Sequence, residues 1–228
     1  MSERFESSIF DYAKTIQRGE ILLVEYTSNE PIHLIFYIFL KYLKQSNIPF
    51  VIIDAVDQLH VFKAHLELVG IDTSIIDEAQ VIKLGGVLHT GNIIRRVDLE
   101  EDLPIWRQHY IETFRKIQEE KGYVMRIVIG TEKLLKLYER NPLETGNFFG
   151  MVVRPFLGDK NTTGVIFLNT SLLDKKTVLE WTEIASRVFD VELKEGEITL
   201  RITKSVDFSE YGREIKVKAQ ELQEYLAR

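Results

Sequence analysis

Four short runs limit what this chain can fold into: Ile21–Tyr26 (ILLVEY), Phe50–Asp54 (FVIID), Met125–Gly130 (MRIVIG) and Val165–Asn169 (VIFLN). Each is nearly continuous in apolar residues and lacks the in-and-out alternation of a strand with one wet face. A strand that is apolar on both sides has to be covered on both sides, and helix-forming stretches lie between the runs. Residues 3–18 read as an amphipathic helix stopped by Gly19, Pro31 opens a helix that reaches Ser46, and Asp57–Val69 forms another ending at Gly70. Proline suits a first helical turn, where its missing N–H has no partner in any case. Glu100–Lys121, Thr131–Arg140 and Asp174–Val188 complete the helical set. Buried strands that alternate with helices imply right-handed crossovers and a mainly parallel sheet, the α/β class.

The pattern changes near the end. Val188–Leu193, Glu197–Lys204 and Glu214–Ala219 alternate with a period of two around turns at Glu195-Gly196 and Tyr211-Gly212, which predicts antiparallel strands added at a sheet edge. Val81–Leu84 is a further strand, followed by a hairpin-like excursion marked by Gly85-Gly86 and Gly91-Asn92. No linker or repeat divides the 228 residues, so a single domain, 1–228, is expected. At 45% hydrophobic and 28% charged residues the composition is that of a globular chain. The net charge of −6 argues against a protein that coats nucleic acid. Without cysteine there is no disulfide, thiolate metal site or cysteine nucleophile. The apolar run Leu34–Leu40 falls far short of the roughly 20 residues a membrane-spanning helix needs, and the polar start carries no signal-peptide pattern. A cytoplasmic protein without a membrane partner is expected, and the many Glu and Lys residues fit a thermophile.

Three stretches carry a resemblance to a known class. Gly19–Tyr42 resembles the glycine–glutamate, apolar strand, loop and helix start of KaiC- and RadB-type domains. Asn47–Asp72 is similar to their next unit, down to the Gln58-Leu59 pair and the closing Gly70-Ile71-Asp72, and Glu183–Ala219 resembles their ending. The resemblance implies a RecA-like three-layer sandwich with C-terminal antiparallel strands, and side-by-side assembly into a homo-oligomer. The chain as a whole also resembles an uncharacterised protein family of hyperthermophilic archaea of the Thermococcales type, related to that class.

The motif that would make such a domain an ATPase is missing. A P-loop needs Gly-x-x-x-x-Gly-Lys-Ser/Thr, so that backbone amides curl around phosphates, the lysine neutralises them and the hydroxyl holds magnesium. Over Tyr26–His33 (YTSNEPIH) that motif meets Tyr26 and Pro31 at the glycine positions, Ile32 at the lysine and His33 at the hydroxyl. Glu30 adds a negative charge where a phosphate would sit. The strand that should end in a magnesium-holding aspartate, Arg126–Gly130, ends in glycine. Loss of ATPase activity, and no cofactor, are therefore expected.

What the sequence offers instead is a pair of candidate surfaces. Ligands of open α/β sheets sit at the carboxyl ends of the parallel strands, here a polar crevice of Tyr26, Thr27, Ser28, Asn29, Asp54 and Asn169 suited to peptide amides. Asp54 reads either as a surviving acid or as a strand-end cap for the following turn. The segment Gly146–Leu157 (GNFFGMVVRPFL) gathers Phe148, Phe149, Met151, Val152, Val153 and Phe156, either as core or as an apolar partner surface. The five histidines show no metal-ligand spacing, and Glu100-Glu101-Asp102 reads as a charge match to a helix N-terminus. Arg95-Arg96 and the C-terminal Arg201, Lys204, Arg213, Lys216 and Lys218 read as solvated mixed-charge faces. The leading functional reading is a non-catalytic domain that binds a protein or peptide in a regulatory or scaffolding role. The rival is a nucleotide-binding protein or enzyme with an unconventional site at the strand ends, built on Asp54, Glu25 and a basic residue.

Overall fold

Strands and helices alternate through most of the chain. In the computed structural model, which describes residues 2–99, 102–138 and 141–228, helix α1 (Ser2–Ala13) precedes β1 (Ile21–Tyr26), α2 (Ile32–Gln45), β2 (Phe50–Ala55), α3 (Gln58–Leu68) and α4 (Ser74–Glu78). There follow β3 (Gln80–Leu84), β4 (Asn92–Val97), α5 (Leu103–Lys121), β5 (Val124–Ile129), α6 (Thr131–Leu135) and α7 (Pro142–Phe148). A π-helical turn, Phe149–Val153, and a 3₁₀ turn, Arg154–Phe156, continue α7. The chain ends with β6 (Thr162–Asn169), α8 (Lys175–Ile184), β7 (Arg187–Lys194), β8 (Glu197–Lys204), β9 (Glu214–Lys218) and α9 (Ala219–Leu226). Glu100, Glu101 and Arg140, expected at helix ends, lie outside the described residues.

The described strands form one nine-stranded sheet in the order β4-β3-β2-β5-β6-β1-β7-β8-β9. The four apolar runs are β1, β2, β5 and β6, and every pairing among them is parallel. Two expectations need correction. β7 pairs parallel with β1 and antiparallel only with β8, so the antiparallel addition begins one strand later. The excursion after β3 is not a hairpin, because β4 runs parallel to β3. Arg96 pins the short return loop by donating to the carbonyls of Gly86 and Leu88.

Side chains alternate between two cores. Leu22, Val24, Ile52, Ile127 and Phe167 face one layer, where α1, α2, α3, α4 and α9 pack. Ile21, Leu23, Ile53, Ile166 and Leu168 face the other, under α5, α6, α7 and α8. α2 is buried on nearly every side, since neighbouring helices cover what the sheet does not: Phe36 meets Phe62 of α3 and Tyr42 meets Phe10 of α1. A buried guanidinium ties α1 to the sheet. Arg187, 2% exposed, donates to Glu20 (2.8 Å), Glu210 (2.8 Å) and the Tyr12 hydroxyl (2.6 Å). With both carboxylates in place its charge is compensated, which a buried ion requires.

The aromatic segment is core, and the reading of it as a partner surface is withdrawn. Phe148, Phe149, Val153 and Phe156 are each at most 6% exposed; Met151, at 38%, is the exception. Phe148 packs on Tyr138 and Trp106, and Phe149 meets Trp181 edge-on at 5.2 Å. Phe156 lies under the buried Arg126, whose Cζ stands 3.5 Å from the ring centroid. The cluster is the floor of the second helical layer. Truncating Phe149 to alanine should therefore lower the unfolding free energy by about 3–5 kcal/mol, as buried aromatics do, measured by urea unfolding followed through tryptophan fluorescence.

Candidate functional site

The ends of β1 and β6 lie side by side, with Tyr26 in register with Asn169. Both chains then leave the sheet, and short polar side chains bridge the exits. Asn169 Nδ2 donates to Ser28 Oγ (3.0 Å), which lies 3.1 Å from Ser171 Oγ. Asn169 Oδ1 accepts from the Ser171 hydroxyl (2.6 Å) and amide (3.1 Å), starting a short 3₁₀ turn. The Thr170 hydroxyl donates across to the Tyr26 carbonyl (3.1 Å). Ser28, Asn29 and Ser171 are exposed, Thr27 is half-buried, and Asn169 is buried beneath them.

The loop between β1 and α2 is closed on itself. Glu30 Oε2 accepts from the Thr27 amide (2.5 Å), the Asn29 amide donates to Thr27 Oγ1 (3.4 Å), and the Ile32 amide to the Glu30 carbonyl (2.8 Å). A phosphate-binding loop keeps such amides free for the ligand. Here the loop's own carboxylate has taken that place.

Two expected crevice residues are elsewhere. The Tyr26 ring is buried in the core, where desolvation and nearby Glu132 push its hydroxyl pKa up. Asp54 is fully buried: its Oδ1 accepts from the Leu59 amide (2.9 Å) and its Oδ2 from Lys83 Nζ (2.9 Å). Of its two readings, the cap is the one observed, at the start of α3. Lys83 also meets Asp57 Oδ1 at 2.5 Å, and the Asp57 carboxylate accepts from the amides of Val87 and Leu88. The lysine is 1% exposed and balanced by two carboxylates, so it is not free to neutralise a phosphate. Val56 and Asp57 hold positive φ angles of 51° and 62°, a conformation unfavourable for a β-branched residue and held by this knot of bonds.

Across the crevice floor stands a carboxyl that sequence reasoning missed. Gly130 ends β5 with a φ of 75°, and a Cβ there would meet the Ala55 carbonyl oxygen at 2.2 Å. No acid fits at that position. Glu132, two residues on, is 1% exposed, and its Oε2 has no hydrogen-bond partner among the described residues. Burial pushes its pKa up to about 6, against the pull of its own backbone amide, Lys133 and the Asn169 amide. Glu25, the other acid considered, accepts from the Thr182 hydroxyl (3.1 Å), and burial raises its pKa with help from Asp190. His33 and His65, from different helices, meet with ring centroids 5.2 Å apart, and burial with His65 holds His33 down at about 4. Among the described residues no group of three or more His, Cys, Asp or Glu is placed to hold a metal ion, and no helix is long and apolar enough to cross a membrane.

A family described as Pyrococcus protein of unknown function, DUF257, matches residues 11–216. The chain belongs to this family. Two solved structures share its fold. The Pyrococcus horikoshii OT3 protein PH0250 is 24% identical, with 94% of this chain and 98% of that one covered and a TM-score of 0.73. The uncharacterised P. horikoshii protein PH0321, solved in complex with an unknown peptide, is 17% identical over 87% of this chain and 89% of that one, with a TM-score of 0.59. No curated protein matches the sequence.

Of the residues expected in the crevice, Thr27, Ser28, Asn29 and Asn169 come together, joined by Ser171 and Glu132, which sequence reasoning overlooked. Glu132 carried one usable signal, an acid just past a buried strand at the sheet's carboxyl end. Its effect on stability follows from its pKa. The folded protein holds this proton more tightly than the unfolded chain, so stability is lost as pH rises from about 4.5 through about 6. Glu132→Gln should be the more stable by about 2 kcal/mol at pH 7 and level with wild type near pH 4, in paired urea titrations. Lys83→Met should lose about 3–5 kcal/mol by stranding Asp54, and Asp54→Asn added to it should recover part of the loss in the same assay.

Proposed function

We propose that this protein is a non-catalytic, RecA-like domain that holds a peptide or a partner's extended segment across the ends of β1 and β6. The observation that carries this reading is the cluster of Ser28, Asn169 and Ser171, with hydrogen bonds of 2.6–3.1 Å between them. The Ser28 and Ser171 hydroxyls are exposed, neutral and able to donate and accept, with Asn169 buried beneath them, at the end of the sheet where α/β folds bind ligands. Exposed hydroxyls, held in place by the Asn169 carboxamide, match the N–H and C=O groups of a peptide backbone.

Several features favour a peptide over a nucleotide. Glu30 occupies the loop amide that a phosphate would seek, and Glu132 lies beneath the same floor. The parallel core followed by antiparallel β8 and β9 fits the RecA-like descent inferred from sequence. PH0321, of related fold, was solved with an unknown peptide, which supports the same ligand class here. The loss of phosphate chemistry fits a scaffolding or regulatory protein rather than an ATPase.

Selection of random decapeptides from a displayed library against the purified protein tests this reading. The enriched peptides should bind about tenfold more weakly to the Ser28→Ala/Ser171→Ala variant, the effect of losing one or two hydrogen bonds of about 1 kcal/mol each. Calorimetry with magnesium-ATP at about millimolar concentration, where a −4 kcal/mol interaction is half-saturated, should show no binding heat. Unchanged affinity in the variant, or ATP binding in the micromolar range, would refute the proposal.

A further inference from the structure

We infer that the groove between α1 and the open edge of β9 is a separate docking site, which takes an extended acidic segment as a tenth strand. It goes beyond the strand-end crevice and does not depend on it. β9 closes one side of the sheet: it pairs with β8 and has no strand on its outer edge among the described residues. The outward N–H and C=O groups of such a strand are the template on which a peptide adds. A groove of about 650 Å³ runs beside it, walled by Arg4 and Asp11 of α1, by Thr15 just past its end and by residues 213–216.

The charges in this groove are unequally committed. Asp11 is paired with Lys14 (2.8 Å), and Glu214 with Arg201 (2.7 Å) and Lys216 (3.0 Å). Arg4 and Arg213 make no ion pair among the described residues. Arg213 does act on the Asp207 carboxylate, and the groove walls together hold Arg4, Arg213 and Lys216 against Asp11 and Glu214, an excess of one positive charge on a chain whose net charge is −6. A guanidinium fork binds a carboxylate with two parallel N–H···O bonds, so acidic side chains on the added strand complement the walls. Lys216 and Lys218, exposed on β9, repel a basic strand and favour the same occupant. The turn that enters β9 presents Phe208 and Tyr211, 84% and 46% exposed with ring centroids 5.8 Å apart, as an apolar ledge at the strand's leading end.

The test uses the full chain and two fluorescent synthetic octapeptides, one alternating valine with glutamate and one alternating valine with lysine. The Val/Glu peptide should bind and slow amide exchange across 214–218, with the Val/Lys peptide about tenfold weaker or worse. Arg4→Glu with Arg213→Glu should weaken Val/Glu binding by about tenfold or more, while Ser28→Ala/Ser171→Ala should leave it unchanged. Methylating alternate backbone nitrogens of the Val/Glu peptide should abolish binding, and this arm decides alone if circular dichroism shows the charge-reversed variant unfolded. No binding, equal binding of the two peptides, or sensitivity to the crevice variant overturns the proposal. Protection of β9 that grows with protein concentration in the absence of peptide also overturns it, since two copies would then be pairing edge to edge.

Discussion

Burial of β6 on both faces along its whole length is the constraint from which the rest of the molecule follows. A strand in that position has water on neither side, so its neighbours β1 and β5 must be equally apolar and helices must cover both layers. Polar side chains can survive inside only with partners. Arg187 is held by two carboxylates and Lys83 by Asp54 and Asp57. Arg126 has instead Tyr110, Thr162 and the face of Phe156. Short neutral polar side chains gather at the strand ends, as Ser28, Asn169 and Ser171 do. Thr90 Oγ1, Thr131 Oγ1, Trp181 Nε1 and Glu132 Oε2 are buried without a hydrogen-bond partner among the described residues, and of these Glu132 carries the ionisable group, at the strand ends.

The same constraint explains why polar groups gather where β1 and β6 end. The crevice is made by adjacent strands whose chains leave the sheet at the same level, as Tyr26 and Asn169 do. It does not need glycines or a lysine to exist. The Thr27 amide at its edge is taken by Glu30, which folds back on it. An interaction of a few atoms thus leaves a neutral polar surface at the strand ends without involving the sheet.

Much of this was legible in the chain. The four apolar runs became four adjacent parallel strands because their hydrophobic pattern admits no half-wet position. Ser28, Asn29 and Asn169 were recognisable as neighbours at the strand ends because that position follows from the runs themselves. The aromatic segment was ambiguous for a physical reason: Phe148, Phe149 and Phe156 have the same composition whether they face a partner or the chain's own Trp181, Trp106 and Arg126. β7 was misread because alternation in a strand reports one wet face, which an outlying parallel strand has as readily as an antiparallel one; the return after β3 was misread because glycine pairs mark a change of direction and not the direction of the next strand.

By itself, then, the sequence determined the class of fold, the strands at its centre, the end of the sheet where polar residues gather and the lack of a Gly-x-x-x-x-Gly-Lys-Ser/Thr pattern over Tyr26–His33. These follow from local patterns, in which burial is written as an unbroken apolar run and a missing lysine is simply missing. The tertiary structure alone decided which distant groups meet. Asp54 and Lys83, Arg187 and Glu210, His33 and His65, and α1 beside β9 are brought together only by the strand order. Ion pairs and grooves depend on distances of a few ångströms between residues far apart in the chain, and no periodicity in the sequence encodes those distances.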